Sequence, residues 1–548
     1  MKLNRIFAAS ALFVIGVATA SAQAYSSYAH KWHWEKGTIV LDTPQRAAGQ
    51  TDVIGLTAPA MPTVRVAFVG LGMRGPWAVM RFCNIPGVEI VALCDYEEGR
   101  AEGCQRFLRE KGLPPAAIYS GEKGYEELCK RPDIDLVYVA TDWDHHFPVA
   151  KCAMENGKHT AIEVPSAMNL DQCWDLINLS ETTRQHCMVL ENCCYDYYEM
   201  NALNMAQHGV FGEIVSAEGA YIHNLDPYWD AYWQNPDGSD SQGLHWRMKY
   251  NKENRGDVYA THGLGPVAQC LDIHRGDRFT TLVAMDTKSV HGREWVESKT
   301  GEPCTEFRNG DQTTTLMRTA EGKMVQIQHN VMTPQPYNRL FKLIGEKGYA
   351  TKYPEEHFAL TGDAVKASGM ATRMDDLSGH SFISDAAQEE LVKKYYHPIL
   401  AKYGELGREM GHGGMDFIMD SRLVYCLQNG LPLDMDVYDL AEWCCLAELG
   451  SLSMDNNCAS VAFPDFTRGH WQDQKGFRHA YATAEQETAQ EAAAAASTQY
   501  QKDATTALDL WTLYDAVKNA ADAKARAKAQ KKYDKARATY VAGWTAKK

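Results

Sequence analysis

A glycine-rich loop between a short apolar strand and a helix is the feature that most restricts the fold of this chain. Val64–Val69 is predicted as a buried strand, and Gly70-Leu-Gly72-Met-Arg-Gly75 follows it directly in a G-x-G-x-x-G pattern. Gly70 permits a tight turn, Gly72 lets the backbone approach a pyrophosphate, and Gly75 allows the helix to pack closely on the strand. The pattern therefore predicts a Rossmann domain that binds a dinucleotide.

An acidic residue at the end of the second predicted strand indicates which dinucleotide. Val88 to Leu93 is an apolar run, and Asp95 lies 20 residues beyond Gly75. A carboxylate at this place accepts hydrogen bonds from the ribose hydroxyls and repels a 2′-phosphate. The sequence therefore predicts NAD as the cofactor, in preference to NADP.

Changes in periodicity and composition divide the chain into segments. Strands and helices alternate over residues 64–191, which predicts an α/β Rossmann domain with a parallel sheet. The alternating strand patterns of residues 192–481 predict an α+β domain with an open, mostly antiparallel sheet. This sheet could supply a homo-oligomer interface. Within the same domain, one long helix is expected from Asp436 to Leu452. Residues 482–548 are rich in Ala, Glu and Lys and predict a helical extension, interpreted as a solvated spacer or oligomer contact. Residues 23–63 are expected to be a loop-rich lead-in.

The first 22 residues have the features of a secretory signal peptide. Lys2 and Arg5 precede an apolar segment, Ile6 to Ala20, and Ala20-Ser-Ala22 is an A-x-A cleavage site. The apolar segment is shorter than the roughly 20 residues of a spanning helix, so no membrane association is expected. The protein is expected to be exported, to the periplasm or the medium. Its net charge of −15 argues against nucleic acid as a partner.

The 15 cysteines show no disulfide framework, because their number is odd and their spacing is irregular. No C-x-x-C pair is present, and no group of His, Asp and Glu has the spacing of metal ligands. Most cysteines are therefore expected to be small buried hydrophobic residues, and no metal is expected.

Two further strand ends should complete the cofactor pocket, since ligands lie at the carboxyl ends of parallel strands. One is Thr141-Asp-Trp-Asp-His-His146, ahead of a helix predicted from Pro148, and the other is Glu163-Val-Pro165. The order of these blocks resembles the glucose–fructose oxidoreductase/inositol dehydrogenase (Gfo/Idh/MocA) superfamily. Residues 191–196 (ENCCYD) and 259–266 (YATHGLGP) are similar to glycoside hydrolase family 109, the NAD-dependent α-N-acetylgalactosaminidases. The resemblance runs from about Val64 to Trp471.

The resemblance implies roles for individual residues. Cofactor contacts would fall on Met73, Arg74, Asp95, Trp143, Asp144, His145, His146, Glu163, Val164 and Asn192. Sugar contacts would fall on Tyr221, Arg247, Tyr259, His262 and Tyr337. Dehydrogenases of the superfamily usually carry Glu-Lys-Pro, whose lysine assists proton transfer, where this chain has Val164. This difference argues against a simple sugar dehydrogenase and agrees with family 109.

The family's implied reaction is a cycle of oxidation, elimination, addition and reduction that releases terminal α-linked N-acetylgalactosamine from glycans. His262 is the candidate general base and Tyr259 its partner, since residues three apart share one face of a helical turn. Tyr195 and Glu163 are weaker candidates, and His412 has no assigned role. A sugar oxidoreductase that uses the same pocket is the alternative function, and a sugar-binding module without catalysis is a weaker one. Export favours the glycosidase, because an exported enzyme has no NAD pool to regenerate a released cofactor.

Overall fold

A computed structural model describes residues 31–226, 246–370 and 380–545 of the chain. The expected signal peptide lies outside the described residues, as does the aromatic stretch 228–233, which could stack on sugar rings. Within the described residues, no helix is both long enough and apolar enough to span a bilayer.

The strands are, in chain order, β1 (His33–Glu35), β2 (Thr38–Val40), β3 (Val64–Val69), β4 (Val88–Asp95), β5 (Ala117–Ser120), β6 (Leu136–Val139), β7 (His159–Ile162), β8 (Cys187–Val189), β9 (Ile214–Ile222), β10 (Phe279–Asp286), β11 (Thr313–Thr319), β12 (Met324–Asn330), β13 (Lys342–Gly345), β14 (Gly348–Thr351), β15 (His357–Leu360) and β16 (Ser460–Ala462). The helices are α1 (Gly75–Phe82), α2 (Glu98–Glu110), α3 (Gly124–Cys129), α4 (Trp143–Glu155), α5 (Leu170–Thr183), α6 (Tyr197–Gln207), α7 (Trp246–Glu253), α8 (Thr261–Cys270), α9 (His291–Thr300), α10 (Gly362–Ser368), α11 (Asp385–Lys394), α12 (Pro398–Glu409), α13 (Met415–Asn429), α14 (Val437–Cys444), α15 (Leu446–Asp455), α16 (Ala484–Leu508), α17 (Leu510–Lys518) and α18 (Ala523–Thr545).

The first sheet confirms the predicted Rossmann domain. Its six strands are parallel and lie in the order β5-β4-β3-β6-β7-β8. Every residue of β4 and β6 is buried, as expected for strands that helices cover on both faces. The strand order reverses between β3 and β6, and a crevice for a ligand opens at such a reversal.

The second sheet confirms the predicted open, mostly antiparallel architecture. Its ten strands lie in the order β1-β2-β16-β10-β11-β12-β9-β13-β14-β15, and only the pairs β2/β16 and β9/β12 are parallel. The described part of the expected loop-rich lead-in, residues 31–63, is mostly loop, but its two short strands, β1 and β2, extend this sheet. Each of these strands has three residues, which is too short for a recognisable period.

Helix α8 crosses closely over β9, and this crossing positions the site residues that come from the second domain. A Cβ atom on Gly263 would lie 2.3 Å from the backbone nitrogen of Ala220, and one on Gly219 would lie 2.1 Å from the carbonyl oxygen of Gly263. Only glycine permits this approach of helix and strand. It brings the first turn of α8, with His262, against Tyr221 on β9.

The single helix expected from Asp436 to Leu452 is two helices, α14 and α15. Cys445 separates them with φ −74° and ψ −13°, values of a tighter turn than the α-helix. All 15 cysteines lie in the described residues, and all are free. Most are buried, as expected, and burial raises the pKa of the Cys94 and Cys187 thiols to about 12.

The interpretation of the C-terminal extension as a solvated spacer is wrong, because helices α16 to α18 pack on the Rossmann domain; a role as an oligomer contact stays a prediction. Gln501 on α16 donates a hydrogen bond of 3.1 Å to the carbonyl oxygen of Val88. Tyr533 on α18 donates one of 3.1 Å to the carbonyl oxygen of Pro115. Composition alone could not indicate this docking, since the buried side chains are widely spaced in an Ala-rich sequence.

Replacing Gln501 with alanine is expected to lower the free energy of unfolding by about 1 kcal/mol, the net value of a typical buried hydrogen bond. Gln499→Ala on the same helix is the matched control, since Gln499 is exposed and bonds only Asp503. Urea denaturation of both variants measures the difference. Equal effects of the two substitutions would contradict the docking of α16.

Candidate functional site

A cavity of about 1070 Å³ lies at the carboxyl ends of the Rossmann strands. It brings together most of the predicted cofactor residues, namely Gly70, Gly72, Met73, Arg74, Asp95, Trp143, His145, His146, Glu163 and Val164. Arg247 and Tyr259 of the second domain line it too. Gly75, Asp144, Asn192, Tyr221, His262 and Tyr337 are not among the lining residues.

The glycine loop fits the diphosphate of a dinucleotide. Gly70 has φ +92°, and a Cβ atom there would lie 2.5 Å from the carbonyl carbon of Ala140. A Cβ atom on Gly75 would lie 2.0 Å from the carbonyl oxygen of Gly70. By contrast, a Cβ atom on Gly72 would meet only the Arg100 side chain at 3.8 Å and would project into open space. The loop therefore leaves room above the N-terminus of α1, where phosphate oxygens are stabilised.

Asp95 ends β4 on the wall of this cavity. Its Oδ2 accepts a hydrogen bond of 2.6 Å from the backbone N–H of Leu71, and its Oδ1 accepts one of 2.9 Å from the N–H of Glu97. Arg100 approaches the same carboxylate at 3.6 Å. The carboxylate thus holds the glycine loop in place and still has lone pairs for ribose hydroxyls.

We expect Asp95→Ala to weaken NAD binding by about 10- to 100-fold, since the carboxylate serves both the loop and the ribose. Discrimination against NADP should fall with it, because the negative charge that repels a 2′-phosphate is removed. Asp42→Ala is the control, since Asp42 is exposed and does not line the cavity. Isothermal titration with both nucleotides measures the effects, and unchanged affinity of Asp95→Ala would place the ribose elsewhere.

The first turn of α4 carries the second block of predicted cofactor residues. The helix expected from Pro148 begins at Trp143, because the Asp142 side chain caps it by accepting a hydrogen bond of 3.2 Å from the N–H of His145. His146 points inward, and its ring lies 2.8 Å from the carbonyl oxygen of Pro165. His146 therefore joins the ends of β6 and β7, whereas His145 faces the cavity.

A charged network joins the cofactor wall to α13. Arg74 lies 3.2 Å from Glu163 and 3.1 Å from Asp416, and the two carboxylates, Glu163 first, raise the pKa of Arg74. Asp416 also accepts a hydrogen bond of 2.6 Å from Asn192. His412, which had no assigned role, lies 3.1 Å from Asp416 and 3.4 Å from Asn192. Glu163 is thus held in an ion pair with Arg74 at the cofactor wall.

A buried carboxylate orients His262. Nδ1 of His262 lies 2.7 Å from Oε1 of Glu191, which is fully buried. Burial opposes ionisation of Glu191, but the charge and hydrogen bond of His262 outweigh it and lower the pKa of Glu191. The Nδ1–H therefore donates to a carboxylate, and Nε2 is left to act as an acceptor or base.

Two predicted substrate residues contact His262, and two more contact those residues. The Tyr259 and Tyr221 rings lie 4.9 Å and 5.2 Å from the His262 ring. Arg247 donates a hydrogen bond of 3.2 Å to the Tyr259 hydroxyl. Tyr337 is 41% exposed, and its ring lies 6.3 Å from the Tyr221 ring. The structure thus gathers the predicted substrate residues where Tyr259 meets the cavity.

One cluster of metal-ligand types was not recognisable from spacing. Glu191, Cys193 and His262 offer donor atoms within 4.8 Å of one another. These atoms already bond to protein groups, since Glu191 accepts from His262 and the Cys193 thiol donates to Asn192 at 3.4 Å. Burial raises the pKa of the Cys193 thiol well above its usual value. The three residues therefore form a hydrogen-bonded cluster in which the Cys193 thiol keeps its proton.

Tyr195 is wrong as a catalytic candidate, because its ring is fully buried and its hydroxyl donates to Asp434 at 3.0 Å. Sequence reasoning missed the cavity residues Tyr96, Arg100, Gly121, Glu122, Tyr125 and Trp246. It also assigned no role to Glu191 or Asp416. Two signals were available for Glu191: its position just after β8 and its place in the ENCCYD block of the family resemblance.

Comparisons with known proteins agree with this geometry. The family model described as "Glycosyl hydrolase 109, C-terminal domain" matches residues 195–473, and "Oxidoreductase family, NAD-binding Rossmann fold" matches residues 64–191. The chain is 70% identical over 538 residues to "Glycosyl hydrolase family 109 protein 3" of Phocaeicola vulgatus, which covers 98% of this chain and 97% of that one. The chain belongs to glycosyl hydrolase family 109. It is also 54% identical to "Glycosyl hydrolase family 109 protein 1" of Bacteroides thetaiotaomicron, over 86% of this chain and 98% of that one.

Solved structures share the fold of this family 109 member. A levoglucosan dehydrogenase in complex with NADH and L-sorbose superposes with a TM-score of 0.53 and 18% identity, and the match covers 74% of this chain and 100% of that one. An oxidoreductase domain protein from Kribbella flavida superposes with a TM-score of 0.54 and 17% identity, over 74% and 100% of the two chains. The protein is therefore an enzyme of a glycosidase family built on an NAD-binding oxidoreductase fold.

Proposed function

We propose that this family 109 enzyme releases terminal α-linked N-acetylgalactosamine from glycans by NAD-dependent oxidation, elimination, addition and reduction. One observation carries the proposal: an oriented His262–Glu191 pair lies beside Tyr259 at an NAD cavity whose wall has Val164 in place of a lysine. A base is thus available, while the lysine that serves plain dehydrogenases is absent.

When bound, NAD supplies a reversible hydride acceptor for C3 of the sugar. The C3 ketone acidifies the hydrogen on C2, and Nε2 of His262 removes that proton while the bond from C1 to the leaving group breaks. The hydroxyl of a water molecule would then add at C1, the other proton of that water would go to the departing oxygen, and His262 would return its proton to C2. C3 would regain its hydride from the bound cofactor. The net reaction is hydrolysis, with no net oxidation.

The residues around His262 would position the sugar. The Tyr259 hydroxyl, oriented by Arg247, can hydrogen-bond a sugar hydroxyl next to the base. Arg247 also lies 5.1 Å from the Trp143 ring and 5.0 Å from the Tyr259 ring, contacts that keep its guanidinium at the cavity edge. Tyr221 and Tyr337 offer aromatic surface for stacking on the sugar ring.

The decisive test incubates purified protein with an aryl α-N-acetylgalactosaminide and no added cofactor. Release of the sugar without accumulation of NADH is expected, since the hydride returns in each cycle. The aryl α-galactoside, which lacks the acetamido group, is the substrate control. Stoichiometric NADH without glycosidic cleavage would contradict the proposal and support a sugar oxidoreductase.

Export and cofactor retention belong to the same proposal. An exported enzyme must keep its NAD through turnover, so we expect NAD to copurify with the protein and to be released only on denaturation.

Self-association through the face of the second sheet, where Met285, Leu316 and Met324 are exposed, is also proposed. Light scattering of the purified protein tests this self-association, and cell fractionation tests the proposed export.

A further inference from the structure

A row of lysines runs along one side of α18. Lys524, Lys528, Lys531 and Lys535 recur at positions i, i+4, i+7 and i+11 and are all exposed. At 3.6 residues per turn they lie within about 60° of one another around the helix, and their Cα atoms span about 16 Å along its axis. We call these four residues the lysine row.

The opposite side of α18 is occupied by its own domain. Tyr533, Arg537 and Tyr540 are buried there, and Arg537 pairs with the buried Glu89 at 3.2 Å. The lysine row therefore points away from the Rossmann domain. Among the described residues, the ion pairs of α17 and α18 with α2 use other side chains, such as Arg526 and Lys518.

This local charge is opposite to that of the whole chain. Helix α18 contains seven Lys and Arg residues and one Asp, whereas the chain has a net charge of −15. Helix stability alone does not require so many like charges on one side, because like charges at i, i+4 destabilise a helix. We propose that the lysine row is a docking surface for an acidic glycan chain that carries carboxylate or sulfate groups.

The chemistry of α18 favours a glycan over other polyanions. Its aromatic side chains face inward, since Tyr533 and Tyr540 are buried and Trp544 is half-buried against Tyr500 of α16, so α18 presents no aromatic anchor to a bilayer. The side of α18 with the lysine row also carries Ala527, Lys532 and Ala538, with Asp534 at its edge, and no aromatic ring on which a base could stack. Lysine, a point charge on a flexible stem, suits acid groups repeated along a chain without fixed geometry. The inference rests on the proposed glycan-directed function.

The test compares the wild-type protein with a variant in which Lys524, Lys528, Lys531 and Lys535 are all replaced by glutamine. Glutamine keeps the helix propensity, and melting by circular dichroism checks the fold. The matched control replaces four exposed lysines elsewhere with glutamine, namely Lys36, Lys288, Lys347 and Lys475. Heparin and chondroitin sulfate are the probes, with neutral dextran as the uncharged polymer.

The wild-type protein and the control variant are expected to bind the sulfated glycans equally, and the variant without the lysine row is expected to bind them about tenfold or more weakly. High salt should abolish the binding of the wild-type protein to these glycans. Equal binding by the row variant, or no binding by wild type, would overturn the inference. Tighter row-dependent binding to phosphatidylserine vesicles or duplex DNA would also overturn it. Cleavage of the small aryl glycoside should be equal in all three proteins, so failure of the proposed activity is seen separately.

Discussion

Replacing His262 with alanine is expected to lower kcat by about 10²- to 10⁴-fold while NAD stays bound. The imidazole is held by Glu191 at 2.7 Å and is the group assigned to move the proton on C2. It does not line the cavity that would hold the nucleotide. Initial rates on the aryl α-N-acetylgalactosaminide, together with the nucleotide content of the purified variant, measure both effects.

Two further variants sharpen this prediction. His470→Ala removes a partly exposed imidazole that pairs with Asp473, and it should leave kcat unchanged. Glu191→Gln keeps a hydrogen-bond acceptor beside Nδ1 of His262 but removes the negative charge, so a smaller loss than that of His262→Ala is expected. Loss of NAD from His262→Ala would assign the residue to the cofactor site instead. Full activity would remove it from the reaction.

The parts of the fold that could be predicted are those that neighbouring residues in the sequence indicate. Helix α5 is one of the helices expected from the alternation over residues 64–191; it begins after the cap residue Asn169, whose side chain accepts a hydrogen bond from the N–H of Gln172, and it ends at Arg184 in the left-handed region. Strands β2 and β16 could not be predicted, since each has three residues and they pair across the chain, Thr38 with Ser460. Nothing local in either segment indicates its partner.

The same distinction applies to the site. Gly70 and Asp95 could be predicted as cofactor residues because both stand at fixed positions within one βαβ unit. Glu191 was missed because its role depends on His262, 71 residues away. Asp416 acts through Arg74, which is 342 residues away. Such pairs form because whole helices and strands pack together, and the periodicity of a single sequence does not indicate which elements will pack.

Replacing Asp434 with asparagine is expected to lower the free energy of unfolding by about 3–5 kcal/mol, because a buried guanidinium would lose its counter-charge. The carboxylate accepts hydrogen bonds of 2.9 Å and 2.7 Å from Arg422 and one of 3.0 Å from Tyr195. Asn cannot accept the bidentate pair or neutralise Arg422. Asp42→Asn, at an exposed position, is the matched control, and urea denaturation at pH 7 measures both.

The cost of Asp434→Asn should also depend on pH. Burial opposes ionisation of Asp434, but the charge of Arg422 outweighs it and lowers the pKa of Asp434 to about 2 from its ordinary 3.8. A carboxyl whose pKa is lower in the folded state stabilises that state above pH 4, by roughly 2–3 kcal/mol for a shift of this size, and loses the effect as the pH falls toward 2. The difference between wild type and variant should therefore be constant from pH 7 to pH 5 and shrink at pH 3. A difference that stays constant to pH 3 would show that the carboxylate is not held by Arg422.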